Sequence, residues 1–494
     1  MYVLGIDVGT SGTKALVVGG GGRILARGYQ AYPLKTPGPG RVEQDPKLWW
    51  KAVVHAVREA CAGLDAGRIG ALSLSTQGAS SLLVNGAGNP LTDAITWMDT
   101  RAGESALSLA GQLGDEAVYR TTGWPVDASL DAAKLHWLVR NEGALVARSS
   151  KFVSTLEYIN HKLVGRHLID PTNAAMRQLM SLRTLAWDGS LVAFTGADPA
   201  LLPDIVPTGE FIGTLGSSAA EELGLGSGVR VFNGAHDQYC ACLGSDTLRP
   251  GELMLSTGTA WVLMAVASAP IFSASRLSPG PHIVDGLWGI MASLSAAGSA
   301  FDWFRSNFTG EGYAGLEEGL GRSRDRLKDL FFYPMLNGAQ FPSVNPKARA
   351  AFIGLGFEHG KYELAEAVME GVVFQMRAAM DEYRKNGFAI TRLRLTGGAV
   401  RSPYWARMIA SNVACEVQAL SEPDSACIGA AAIAGVGLGL FPDHGSAVRD
   451  MNPGLPVVPW EGGLRDAYAE KFDRYTEGLP ALLSFYGGVP PYTS

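Results

Sequence analysis

The chain has no block of basic residues, few cysteines and no long apolar run free of turn residues. Its 41 basic and 47 acidic side chains are spread over 494 residues and leave a net charge of −6. That balance offers nothing to hold a nucleic-acid backbone or an anionic membrane surface, so neither is expected as a partner. The five cysteines (Cys61, Cys240, Cys242, Cys415 and Cys427) are an odd, scattered set. Such usage points to reduced thiols in a cytoplasmic protein and away from a disulfide framework. Cys240 and Cys242 have the wrong spacing for a zinc knuckle and no second pair, so they read as small buried apolar residues. The N-terminus opens directly into a strand, without a basic segment and cleavage site, and no signal peptide is expected.

Residues 253–275 carry no charge, but Ser256, Thr257, Gly258, Thr259 and Pro270 interrupt them. They read as buried strands, not as a membrane span. The run from Cys427 to Phe441 is rich in Gly and Ala and too short to cross a bilayer; it suits a tightly packed core helix.

What is present is ample material for large cores, with 47% hydrophobic residues, and a length that suits two or more domains. The most informative segment is the first. An apolar strand, Tyr2 to Ile6, runs into Asp7-Val8-Gly9-Thr10-Ser11-Gly12-Thr13-Lys14, and a second strand, Ala15 to Val18, leads away. Such a turn can aim backbone N–H groups and hydroxyls at phosphate oxygens, because glycine lets the backbone come close. Asp7 at the strand end is placed to hold Mg²⁺ beside those phosphates. The device recurs where Glu252 to Leu255 runs into Ser256-Thr257-Gly258-Thr259 and a strand from Ala260 to Val266. Two such units half a chain apart suggest two similar halves, residues 1–246 and 247–494, each offering a hairpin to one nucleotide.

Between them, strands alternate with helices. Residues Pro33 to Gln44 read as irregular; Asp45 then caps a helix with Pro46 at its first position. Gly70 to Ser75 reads as a buried strand ending at Thr76-Gln77-Gly78. Gly228 to Asn233 leads into Gly234-Ala235-His236-Asp237-Gln238, and Arg392 to Leu395 into Thr396-Gly397-Gly398-Ala399. A packing helix is expected over Tyr362 to Tyr383 and another over Ser402 to Ala414. The pattern predicts an α/β fold with a largely parallel sheet and its site at the strand C-termini. Phosphoryl transfer asks the protein to hold phosphates and a metal and to place a base beside the attacking hydroxyl. Asp237, just past a strand end with small residues before it, is the candidate base.

At these residues the chain resembles the FGGY carbohydrate kinases, within the group sharing the actin and sugar-kinase ATPase fold. The likeness runs through Asp7-x-Gly9-Thr10-x-x-Thr13-Lys14, Val42 to Pro46, Trp97-x-Asp99-x-Arg101, Asp237 and Ser256 to Thr259. It continues through Ala297-Gly298-Ser299-Ala300, Phe352-x-Gly354-Leu355, Thr396 to Ala399 with Ser402-Pro403-x-Trp405, and Gly429-Ala430-Ala431. The resemblance implies two actin-like (ribonuclease H-like) α/β domains with an ATP and substrate cleft between them. It implies that Asp237 is the catalytic base and that Asp7 positions Mg²⁺. Thr10, Ser11, Thr13, Lys14, Thr257, Gly258, Thr259 and Gly298 would lie toward the phosphates of ATP, and Gly397, Gly398 and Ala399 toward its adenosine. Gln77, Trp97, Asp99 and Gln238 would line the pocket for a small sugar or polyol, with a ketopentose such as xylulose as the leading acceptor and another ketose, a polyol or a sugar acid as the alternative. Departures from xylulokinases and glycerol kinases fall in that pocket: Gly78-Ala79-Ser80 follows Gln77, and His236 precedes Asp237. The resemblance is compatible with a homodimer. A non-catalytic nucleotide-gated module is the rival reading, and Asp237 argues against it.

Overall fold

A computed structural model describes residues 1–294, 296–322, 329–339, 345–452 and 454–487. Its first sheet opens with β1 (Tyr2–Val8), β2 (Gly12–Gly19) and β3 (Ile24–Ala31). Val3, Leu4, Ile6 and Val8 are fully buried, as expected of a strand covered on both faces. Two short strands follow, β4 (Lys35–Gly38) and β5 (Arg41–Gln44), where the sequence reads as irregular. The difference is tertiary, since β5 finds its second partner at Ala94–Ile95, and Pro37 is tolerated because β4 is an edge strand. The helix α1 (Pro46–Cys61) starts as its sequence predicts, with the Asp45 side chain accepting from the Lys47 N–H. β6 (Ile69–Thr76) then lies parallel to β1. After α2 (Asp131–Asn141), β7 (Phe211–Thr214) and β8 (Arg230–His236) complete the sheet in the order β7-β8-β6-β1-β2-β3. The helix α3 (Asp237–Gly244) leaves the end of β8.

The second sheet is built from β9 (Glu252–Thr257), β10 (Trp261–Ala267), β11 (Ser278–Pro281) and β12 (Trp288–Leu294). The long helix α4 (Lys361–Lys385) and α5 (Pro403–Asn412) flank β13 (Arg392–Gly397). β14 (Glu416–Ala419) and the helix α6 (Ser425–Gly437) follow, and the strand order is β11-β12-β10-β9-β13-β14. The two sheets share one pairing pattern. β8, β6 and β1 are mutually parallel, and β2 and β3 are antiparallel additions. β14, β13 and β9 repeat this, with β10 and β12 as the additions. Each sheet is therefore mixed, which corrects the expectation of a largely parallel one. The tight turns that follow β1 and β9 can only join antiparallel neighbours.

The helices after β8 and β14, α3 and α6, pack on each other, and α6 also covers β1 and β6 of the first sheet. Glycine makes this approach close. A Cβ on Gly5 would strike the Cys427 carbonyl, and one on Gly429 would strike that of Cys240. Cys240, Cys242 and Cys427 are buried in this seam with Val3, Leu16, Met254 and Met264. Residues 253–275 supply β9 and β10, and no helix among the described residues is long and apolar enough to cross a membrane.

Candidate active site

The site forms where the C-terminal ends of β1, β6 and β8 meet. Asp7, one residue before the end of β1, lies across from Lys14 on β2 and Ser75 on β6. Ser75 Oγ donates to Asp7 Oδ1 at 2.7 Å. The turn Gly9–Ser11 is tied down at three carbonyls: Tyr32 Oη donates to Gly9 O, Gln44 Nε2 to Thr10 O and Tyr32 N to Ser11 O. Trp97 is 40% exposed, and its Nε1 donates to Thr10 Oγ1 at 3.0 Å. Thr13 is fully buried at the start of β2, and Ser11 is exposed. Lys14 does not reach freely toward the turn, because its Nζ pairs with Asp424 at 2.8 Å. Asp424 is the cap of α6, so this pair joins the two halves beside the hairpin.

β6 ends beside Val8 and His236, and the Gln77 N–H donates to Val8 O. The Gln77 side chain has a defined orientation. The Trp49 indole N–H can only donate, and it donates to Gln44 Oε1, so Gln44 Nε2 faces Thr10 O. Gln77 Nε2 then donates to the same Gln44 Oε1 at 2.8 Å. This leaves Gln77 Oε1 buried with no partner among the described residues. Gln238 Oε1 is likewise buried and unpartnered. Gly78 lies flat on His236; a Cβ there would fall 2.6 Å from its Cδ2 and 2.9 Å from its Nε2.

Asp237 is the first residue of α3, and His236 occupies the cap position, so a capping role for Asp237 is set aside. His236 Nε2 lies 3.3 Å from Asp237 Oδ1. Burial pushes the His236 imidazole down to about 4, and the ring is neutral at physiological pH. The Asp237 carboxyl keeps a quarter of its exposure, and burial raises it to about 6 against the pull of Gln238. Asp7 also rises to about 6, first through burial and then through the nearby Asp237 charge. Two carboxylates held together out of bulk water repel, and a cation or a proton relieves them.

Asp99 is placed differently from the other pocket candidates. Its carboxylate is fully buried and accepts from the Val42 and Arg101 N–H groups and from the Arg101 guanidinium. These contacts hold it below the ordinary carboxylate range against the opposing effect of burial. They fasten Asp99 to Val42 and Arg101 in the loop that carries Trp97.

The second turn, Gly258–Ala260, follows β9. Thr257 Oγ1 donates to Thr396 O at 2.6 Å and accepts from the Ala399 N–H at 2.9 Å. Thr257 therefore fastens the hairpin to the Gly397–Ala399 segment, where Ala399 is buried and Gly398 exposed. Gly397 has φ 89° and approaches Thr257 O so closely that a Cβ would lie 2.7 Å away. Gly258 and Thr259 are exposed, and Gly298 sits against the Gly258 carbonyl. Sequence reasoning missed Ser75, Tyr32, Gln44 as a hub, and the bond between Lys14 and Asp424. Ser75 could have been found from the register of β1 with β6; the others have no local signal.

Known proteins match this geometry along the chain. Residues 2–244 fit the model of the FGGY family of carbohydrate kinases, N-terminal domain, and residues 253–438 fit its C-terminal domain. A gluconokinase of Bacillus subtilis (strain 168) is 28% identical, covering 91% of this chain and 90% of its own. A glycerol kinase of Chelativorans sp. (strain BNC1) is 29% identical, covering 91% and 92%. The solved xylulose kinase from Lactobacillus acidophilus superposes with a TM-score of 0.92 at 27% identity, over 98% of this chain and 99% of that one. With two domains of mixed α/β content and this coverage, the chain belongs to the FGGY family of carbohydrate kinases and is an ATP-using phosphotransferase acting on an alcohol group.

Proposed function

We propose that Asp237 takes the proton from one hydroxyl of a small neutral sugar or polyol, most simply a ketopentose such as xylulose, as the γ-phosphoryl group arrives. The observation that carries the reading is the placement of Asp237 just past the end of β8 and Asp7 at the end of β1, both strands paired to β6 beside the first turn, where burial raises both carboxyls. A base near 6 is unprotonated at neutral pH yet still draws a proton effectively. The acceptor class follows from the unpartnered oxygens Gln77 Oε1 and Gln238 Oε1. Both need a donor, which sugar hydroxyls supply and a carboxylate does not. A sugar acid carries such hydroxyls too, but its carboxylate would meet the charges of Asp7 and Asp237, which favours a ketose or polyol, although a relative is named gluconokinase.

Mg²⁺ fits the residues present. Among the described residues no cluster of three or more His, Cys, Asp or Glu could cage a metal. Mg²⁺ is instead held well by one carboxylate, water and phosphate oxygens, and Asp7, repelled by Asp237, is the residue that would hold it. When bound, the ion neutralises phosphate charge. The Gly9–Ser11 and Gly258–Ala260 turns would take the phosphates and Gly397–Ala399 the adenosine, while closure of the two domains keeps water from the phosphoryl group.

The test is ADP release from the purified protein with Mg-ATP across ketoses, polyols and sugar acids, with Asp237→Ala alongside. One neutral acceptor turned over by wild type and lost in the variant is the expected result. Turnover of gluconate alone would overturn the acceptor class. Equal rates in wild type and variant with every compound would remove Asp237 from the chemistry.

A further inference from the structure

Lys134 on α2 is only 1% exposed. An ammonium taken so far out of water persists only where acceptors surround it. Its Nζ donates to Ala79 O at 2.6 Å and to Ile95 O at 3.3 Å. Burial outweighs the charges of Asp131, Asp99 and Asp127 and, aided by Arg101, lowers it to about 8. Ala79 belongs to the turn after β6 and has φ 49°, a left-handed conformation that a residue with a Cβ adopts only under constraint. One turn back on α2, Asp131 accepts from Ser81 Oγ at 2.7 Å and from Arg177 Nε at 2.6 Å. Asp131 and Lys134, three apart, share a helix face and grip the Gln77–Ser81 segment at two points. Gly78 of that segment lies on the His236 ring next to Asp237.

We propose that Lys134 is a positioning residue for the acceptor, holding the Gln77–Ser80 turn in its left-handed form so that Gln77 and Gly78 face Asp237. Packing alone does not call for a lysine here, because taking an ammonium out of water carries a cost that an apolar side chain of similar volume does not. What an apolar side chain cannot do is bond Ala79 O and hold φ at this value. The proposal rests on the acceptor reading above, in which the turn after β6 lines the pocket.

The test compares wild type with Lys134→Met, which keeps length and loses the donors, and Lys134→Gln, which restores donors. KM for ATP and for xylulose, glycerol and gluconate is measured, together with amide hydrogen exchange. In Lys134→Met, the acceptor KM is expected to rise about tenfold or more, the ATP KM to stay within about twofold, and Lys134→Gln to recover part of the loss. Exchange should quicken across residues 77–83 and not across residues 8–13. An ATP KM that moves with the acceptor KM, or an acceptor KM that does not move, overturns the inference. Should wild type turn over none of the three compounds, the acceptor reading fails by itself. Exchange then decides on Lys134: loss of protection confined to 77–83 supports it and unchanged protection overturns it. If Lys134→Met does not fold, Lys134→Gln is read by the same KM split and the same outcomes.

Discussion

The two hairpins occupy the same place in two like sheets and carry opposite chemistry. Asp7 on β1 faces Lys14 across its hairpin and Ser75 on the parallel neighbour. The corresponding residue on β9 is Ser256, which faces Val262 and Thr396. One backbone device thus presents a carboxylate and a lysine in the first half and neutral groups in the second. Duplication of a fold repeats the backbone and its N–H groups; it does not repeat charge. On the proposed reading charge is kept where a proton and a cation would be handled, and the second hairpin bonds to its own neighbours through Thr257.

That contrast can be broken at its acidic end first. Asp237→Asn should lower kcat by about 10²–10⁴-fold with the ATP KM little changed, in steady-state assays. A variant with near wild-type kcat would leave the first half with no catalytic privilege. Next comes pH. As the proposed base, Asp237 would have to be unprotonated and stands at about 6, so kcat/KM should fall about tenfold per unit as pH drops below that value. A profile flat between pH 5 and 8 would contradict it. On the neutral side, Thr257→Val removes two hydrogen bonds of about 1 kcal/mol each and should raise the ATP KM by up to about thirtyfold while sparing the acceptor KM. If both constants rise together, the two halves are not separable in this way.

Smaller effects sharpen the comparison. Asp7 is raised on folding from 3.8 to about 6. A carboxyl raised in the fold stabilises it fully below its ordinary value, and that contribution is lost as pH rises through the folded value. At pH 8 the charged Asp7 is therefore a liability to the ligand-free protein. Asp7→Asn should stabilise it by about 1 kcal/mol, seen as a higher Tm; the same Tm at pH 8 would argue that the charge is not strained. Lys14→Met removes a half-exposed ion pair to Asp424 and should cost less than about 1 kcal/mol. A larger loss would make that pair a principal bond between the halves.

Much of the fold was legible because its signals are local. The strand that opens the chain, the Asp45-Pro46 helix start, and the Gly/Thr turns depend on residues within a few positions of one another. Asp237 was legible as the acidic residue after a strand end, although the strand runs on through His236, longer than the apolar run that announced it. The segment Pro33 to Gln44 was misread because its strands are stabilised by a partner some fifty residues away. The motif names the sequence neighbours of Asp99 but not the Val42 N–H and Arg101 guanidinium that bond its oxygens, which only the fold supplies.

The amino-acid sequence by itself determined two strand–turn–strand devices, an α/β alternation and an acidic residue at the end of a strand, since each is a matter of short-range backbone preference and burial. Only the tertiary structure decided which polar atoms were left over. Gln44 is consumed by Trp49, Gln77 and Thr10, Lys14 by Asp424, and Thr257 by Ala399 and Thr396, whereas Gln77 Oε1 and Gln238 Oε1 remain without partners. Hydrogen bonding is short in range and directional, so which groups are satisfied depends on distant segments brought within about 3 Å, and that information resides in the packing of the two halves.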